Sequence, residues 1–291
     1  MKGSFENSPA FTKLLFLALV AVVCMLAAFG VSSVYLLHAG DASRPEVLRM
    51  ALFLQNGILF VGSPLAAQYF LWKAPLADAL QLHAPSPGSV LLGILAIFSL
   101  SPFIDLLAAW NESLHLPDAW HALEQWMIES ERQAAEVTAR LLDISSWGEF
   151  WGNVLVMAVL AGVGEELLFR GVLQKTIMQG TRSVHAGVWL TAVLFSAVHL
   201  QFFGFVPRMV LGALLGYLFV WSRSLWVPVA AHVFNNLCVI LFTPVAFNEG
   251  AKAVEAVRSV ESHAGYAVAG VLVAAACLYV LRRRYFSPAV S

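Results

Sequence analysis

Eight stretches of this chain are apolar over bilayer-crossing or nearly bilayer-crossing lengths: 11–37, 48–71, 89–110, 150–178, 184–200, 205–221, 225–242 and 265–281. A helix needs about 20 apolar residues to cross the hydrocarbon core. A segment in lipid must also satisfy its own backbone, which only helices and closed barrels do. The expected fold is therefore an all-α polytopic transmembrane helix bundle of about eight spans, with the lipid bilayer as its solvent. Charged residues make up 12% of the chain, against about 25% in soluble domains. The first run is longer than a signal-peptide core of ~7–15 residues and no clear cleavage site follows it, so it reads as a retained span. The expected location is a bacterial-type plasma membrane.

The formal net charge is −1 and basic residues are scattered, except for Arg282, Arg283 and Arg284. Nothing here implies a nucleic-acid partner. Cys24, Cys238 and Cys277 lie in apolar runs, match no zinc or redox spacing, and read as small buried hydrophobes.

Orientation follows from Lys and Arg. With both termini cytoplasmic, the inside holds Lys2, Lys13, Lys73, Lys175, Arg182, Arg223 and Arg282 to Arg284, nine in all. The outside holds six: Arg44, Arg49, Arg132, Arg140, Lys252 and Arg258. Arg208, beside Pro207, reads as a side chain that snorkels to the headgroups. Four parts follow: N-terminal spans over 1–110, an outer loop over 111–149, a core over 150–244, and an outer loop, final span and basic C-terminus over 245–291. In the 111–149 loop, Trp120, Leu123, Met127, Val137 and Leu141 form a helical stripe, with Glu124, Glu131, Arg132 and Glu136 facing away. That pattern predicts an extramembrane amphipathic helix on the outer surface or capping the bundle. Gly212 and Gly216 form a G-x-x-x-G step that permits close helix packing.

The fourth span contains "GVGEELLFRG", which sets Glu165, Glu166 and Arg170 in an apolar run. A mid-bilayer Arg or Asp costs about 2.5–3.5 kcal/mol on the insertion scale, so these charges must pair or face a wet cavity. Glu166 and Arg170 are i, i+4 and share a face. Glu165 is turned by about 100° and stays available. "FSAVH" brings Phe195 and His199 onto one face of the fifth span, and "HVFNN" does the same for His232 and Asn236 in the seventh. If these helices converge, Glu165, His199, His232 and Asn236 surround one polar chamber suited to hydrolysis. A Glu in a low-dielectric pocket is a better base near neutral pH. His199 orients or relays, while His232 and Asn236 donate to an oxyanion. Two His and one Glu are also a zinc ligand set, so a zinc ion on Glu165, His199 and His232 stays open, with no further carboxylate to act as base.

Taken in order, "EELLFR", "FSAVH" and "HVFNN" resemble the three signatures of the CPBP family. That family includes type II CAAX prenyl endopeptidases, bacteriocin-processing or immunity proteins and Abi-type membrane proteases. The resemblance covers residues 150–242. It implies an intramembrane endopeptidase, acting on a membrane-embedded or lipidated peptide or protein, with its site open toward the cytosolic leaflet. By the same resemblance Glu165 activates water, His199 stands beside it, and His232 and Asn236 support the transition state. Glu166, Arg170 and Phe195 are structural supports. Whether the family uses a metal is left open by the resemblance. Two other functions fit the same residues: a catalytically silent membrane binding or immunity protein, and a proton-coupled transporter.

Overall fold

The computed structural model describes residues 1–41, 43–242 and 263–285. Among them there is no strand. Among the described residues the longer helices are α1 (Ala10–His38), α2 (Pro45–Leu71), α3 (Pro87–Glu112), α4 (His121–Leu142), α5 (Trp147–Thr181), α6 (Val184–Ala197), α7 (Phe205–Ser222), α8 (Trp226–Phe242) and α9 (Ala264–Tyr285). Six are long and apolar enough to cross a membrane: α1, α2, α3, α5, α7 and α9. The chain is thus a polytopic helical membrane protein.

The fifth and seventh expected spans form as the shorter apolar helices α6 and α8. With 14 residues, α6 extends roughly 21 Å, short of the ~30 Å core. It stops at Ala197 rather than running to residue 200, and Leu200 turns the chain at φ +53°. His199 therefore sits in a turn beyond the helix end.

Local chemistry fixes several boundaries. Ser86, Ser146 and Ser183 each accept a hydrogen bond from the amide three residues on, opening α3, α5 and α6 as serine N-caps do. Arg182 and Arg223 close α5 and α7 in the left-handed conformation. Inside the bundle, α9 packs along α3, α3 packs on α7 and α8, and α6 packs on α7. One apolar cluster joins Leu17, Leu71, Phe169, Phe195 and Phe219. A second joins Ile97, Leu215, Leu218, Ala231 and Leu281.

The connections define two ends. At the first, Gly3 N donates to Tyr69 O (2.9 Å), Leu225 N to Gln81 O (2.9 Å), and Lys175 Nζ to Ala79 O. At the second, Asn111 clamps the turn before α7: its Nδ2 donates to Phe202 O (3.0 Å) and its Oδ1 accepts from Val206 N (2.8 Å). Arg49 Nε, from α2, donates there to Asn153 Oδ1 of α5 (2.8 Å). All nine basic residues assigned to the inside belong to helix ends or connections of the first end. Lys252 and Arg258 lie outside the described residues.

The helix expected between residues 111 and 149 is α4, but of the expected stripe it is Leu141 that is buried, at the helix's C-terminal end, while most of the stripe is not. Leu141 and Leu142 are buried, whereas Trp120, Leu123 and Val137 are exposed. Glu131 does not face away: its Oε1 accepts from Phe203 N (3.0 Å). Glu124 takes Leu116 N and His115 Nδ1. Trp126 packs on Phe202, ring centroids 5.3 Å apart. The reason is backbone satisfaction. An amide in a turn lacks a helical acceptor and takes a carboxylate instead.

Candidate active site

The site is built around α5, whose 35 residues place Glu165 near its middle. The Ala161–Glu166 turn is ordinary α-helix, but π-helical turns flank it at Val154–Leu160 and Leu167–Gln174. Such wide turns occur often at functional sites. They could not be read from residue spacing.

Glu166 and Arg170 are fully buried. Arg170 Nη1 donates to Glu166 Oε1 at 2.6 Å and Nη2 to Gly212 O at 3.0 Å. The guanidinium also lies 4.8 Å over the Phe195 ring. One turn on, Gln174 Nε2 donates to Gly216 O at 3.1 Å. The glycine step on α7 thus serves two side chains of α5 as well as helix packing. A Cβ at Gly216 would sit 2.8 Å from Gln174 Oε1.

Glu166 Oε1 takes a second partner, His232 Nδ1, at 2.8 Å. A carboxylate only accepts, so Nδ1 carries the hydrogen and Nε2 turns to the other side. There it stands 3.7 Å from Glu165 Oε2. His199 is held likewise by one ring nitrogen, its Nδ1 on Phe195 O at 2.7 Å. The Phe195 ring stands edge-on to both imidazoles, with centroids 5.1 Å from His199 and 6.0 Å from His232. Asn236 directs Nδ2 to Met157 O (3.2 Å), and Asn235 donates to Asn236 Oδ1 (3.4 Å).

Glu165, His199, His232 and Asn236 line a single cavity of about 300 Å³. Glu166 and Arg170 stand behind its wall. Two further lining residues, Arg208 and Asn235, were missed by sequence reasoning. Arg208 is not a snorkelling side chain: it turns inward, donating from Nη2 to Gln201 Oε1 (2.7 Å) and from Nη1 to Gln201 O (3.3 Å). An arginine near a helix start is legible in the sequence, but the face it takes is not. The walls near Arg208 are Ile104, Ala108 and Gly204, so the cavity runs toward the second end, where α4 lies.

Among the described residues no three His, Cys, Asp or Glu side chains stand close enough together to hold a metal ion. The two Nδ1 bonds resemble those of metal-ligating histidines, but Glu165, His199 and His232 do not form a ligand set as they stand.

Fold and site together define a class: an integral membrane protein, all-helical where described, with an acid–imidazole chamber enclosed between its helices. Comparison with known proteins gives the kinship. Residues 147–238 match the family described as Type II CAAX prenyl endopeptidase Rce1-like, so the resemblance carried by the three motifs holds over that segment. Two proteins of Bacillus subtilis (strain 168) are similar. "Uncharacterized protein YpbD" is 31% identical over 84 residues, 28% of this chain and 40% of that protein. "Putative membrane peptidase YdiL" is 24% identical over 88 residues, 30% of this chain and 36% of that protein. The matched stretch spans less than half of either relative. No solved structure matches the chain.

Proposed function

We propose that this protein is an intramembrane endopeptidase, hydrolysing a peptide bond of a membrane-embedded or lipidated peptide or protein with water activated by Glu165. The observation that carries the reading is the relay Glu166–His232–Glu165: 2.8 Å on the Nδ1 side, 3.7 Å on the Nε2 side, at the wall of one cavity. The family match supports it.

Glu165 takes a proton from the water, and the water oxygen attacks the carbonyl carbon. Glu165 passes that proton on to His232 Nε2 and returns to a carboxylate. Glu166 stabilises the resulting imidazolium and holds the ring in place, as a buried carboxylate does in a catalytic triad. The imidazolium then presents an N–H to the oxyanion, joined by the second amide hydrogen of Asn236. His199 Nε2 accepts a hydrogen bond from the water's other O–H, which stays on the oxygen. When the C–N bond breaks, the Nε2 proton passes to the leaving amine, which restores the neutral imidazole beside the Glu165 carboxylate. An apolar cavity of about 820 Å³ on the other side of α8, lined by Val163, Val229, Val233 and Phe234, gives room for a substrate's acyl or prenyl chain.

The test is cleavage of a membrane-associated peptide by purified protein in vesicles. Glu165→Gln is expected to reduce the rate by at least ~10²–10⁴, the worth of a positioned base, with unchanged thermal unfolding. Full activity in that variant would remove Glu165 from the reaction. A silent binding protein would keep its phenotype in Glu165→Gln, and a transporter would show proton flux in sealed vesicles without cleavage.

A further inference from the structure

Arg208 is the one cationic side chain lining the acid–imidazole cavity among its described lining residues. Its hydrogen bonds go to neutral Gln201 alone. Among the described residues it makes no ion pair within 4 Å, unlike Arg170, which has Glu166 at 2.6 Å. Its guanidinium lies over Gly204, where a Cβ would meet Nη2 at 3.1 Å. A cation at the cavity wall, held by a neutral amide and lacking a contact carboxylate, is incompletely compensated. Glu165 and Glu131 act on it only from a distance. Arg208, Gly204, Ile104 and Ala108 belong, with His199 and Pro207, to the part of the lining near the second end, whereas Glu165 and His232 come from mid-helix.

From this placement we infer that Arg208 is a specificity residue, receiving a carboxylate of the substrate while the scissile bond lies over Glu165. The inference rests on the hydrolytic reading of the same site. A guanidinium matches a carboxylate in charge and in its two-oxygen geometry. The carboxylate is either the peptide's C-terminus or an acidic side chain, and the experiment separates the two.

Four apolar octapeptides of Ala, Val and Leu, N-acylated to partition into vesicles, serve as probes. One ends in a free acid and one in an amide. The other two are amides carrying Glu or Gln as the penultimate residue. Wild-type full-length protein is expected to show a KM about 10- to 100-fold lower for a carboxylate-bearing member than for its neutral twin, the range set by charge-assisted hydrogen bonds. Arg208→Gln should erase that ratio while leaving kcat on the neutral amides within about twofold. Arg208→Lys should retain part of it, which separates charge recognition from a folding defect. The pair that shows the ratio identifies the source of the carboxylate. An equal KM within both pairs in the wild type, or a ratio unchanged in Arg208→Gln, overturns the inference. Failure of the hydrolytic reading looks different: no peptide is cleaved, or cleavage persists in Glu165→Gln. Equilibrium binding of the same four peptides then reads the charge preference directly, and equal affinities overturn it.

Discussion

Glu166 illustrates how much one buried oxygen can carry. Its Oε1 accepts from both Arg170 and His232, and among the described residues Arg170 has no other ion pair within 4 Å. Glu166→Gln should therefore behave unlike Glu165→Gln. It leaves a buried guanidinium uncompensated, a loss of about 3–5 kcal/mol, and it frees the His232 ring. The expected result is a clear drop in the thermal midpoint in detergent together with lost cleavage, whereas Glu165→Gln loses cleavage alone. The metal question also lives at this scale. If a zinc ion on Glu165, His199 and His232 is part of the enzyme, a chelator abolishes activity and zinc restores it. If Glu165 acts on water alone, activity survives the chelator. The sequence displayed these residues through their cost: charges in an apolar run demand a reason. It could not display Arg208 or Asn235, because lining a cavity depends on a rotation that neighbours impose.

At the level of elements, the distinctive contact is between α5 and α7. Arg170 and Gln174, one turn apart, each reach a glycine carbonyl on α7, at 3.0 and 3.1 Å. Enlarging Gly216 to Leu should displace Gln174, tilt the wall that carries Arg170, and lower both thermal stability and turnover. Gln174→Ala in the wild-type background should cost only the ~0.5–1.5 kcal/mol of one hydrogen bond, read in the same unfolding assay. The helix α4 offers a second case. Its outer face is charged: hydrogen bonds from Arg132 and Gln133 hold the Glu129 carboxyl down at about 2, so that carboxyl stays ionised at any physiological pH. Its attachment to the rest of the protein near the cavity rests on Trp126 against Phe202 and Glu131 on Phe203 N. Removing both, in Trp126→Ala with Glu131→Gln, should make α4 the first site of limited proteolysis. The helical stripe found this helix within the 111–149 loop, but assigned its inward face from hydrophobicity alone. In a turn with unpaired amides, an acceptor carboxylate outweighs that preference.

For the whole molecule, the question is which side of the membrane the chamber meets. The nine basic residues gather at the first end, and the cavity runs toward the second, beside α4. If the positive end is cytoplasmic, the chamber opens to the outside, contrary to the cytosolic opening implied by the family resemblance. Reporter fusions after residue 115 and at the C-terminus decide this: opposite sides, with the C-terminus inside, place the chamber outside. A cytosolic signal after residue 115 would restore the resemblance's expectation. Apolar run length alone determined that this chain is a helical membrane protein, because lipid accepts few other solutions. The pairing of Glu166 with Arg170 followed from the helix repeat. Only tertiary structure decided that His232 joins Glu166 to Glu165, that α6 ends short of His199, and that Arg208 turns inward. Those outcomes depend on how separate helices rotate and approach one another, and a linear pattern holds no information on relative rotation beyond its own helix.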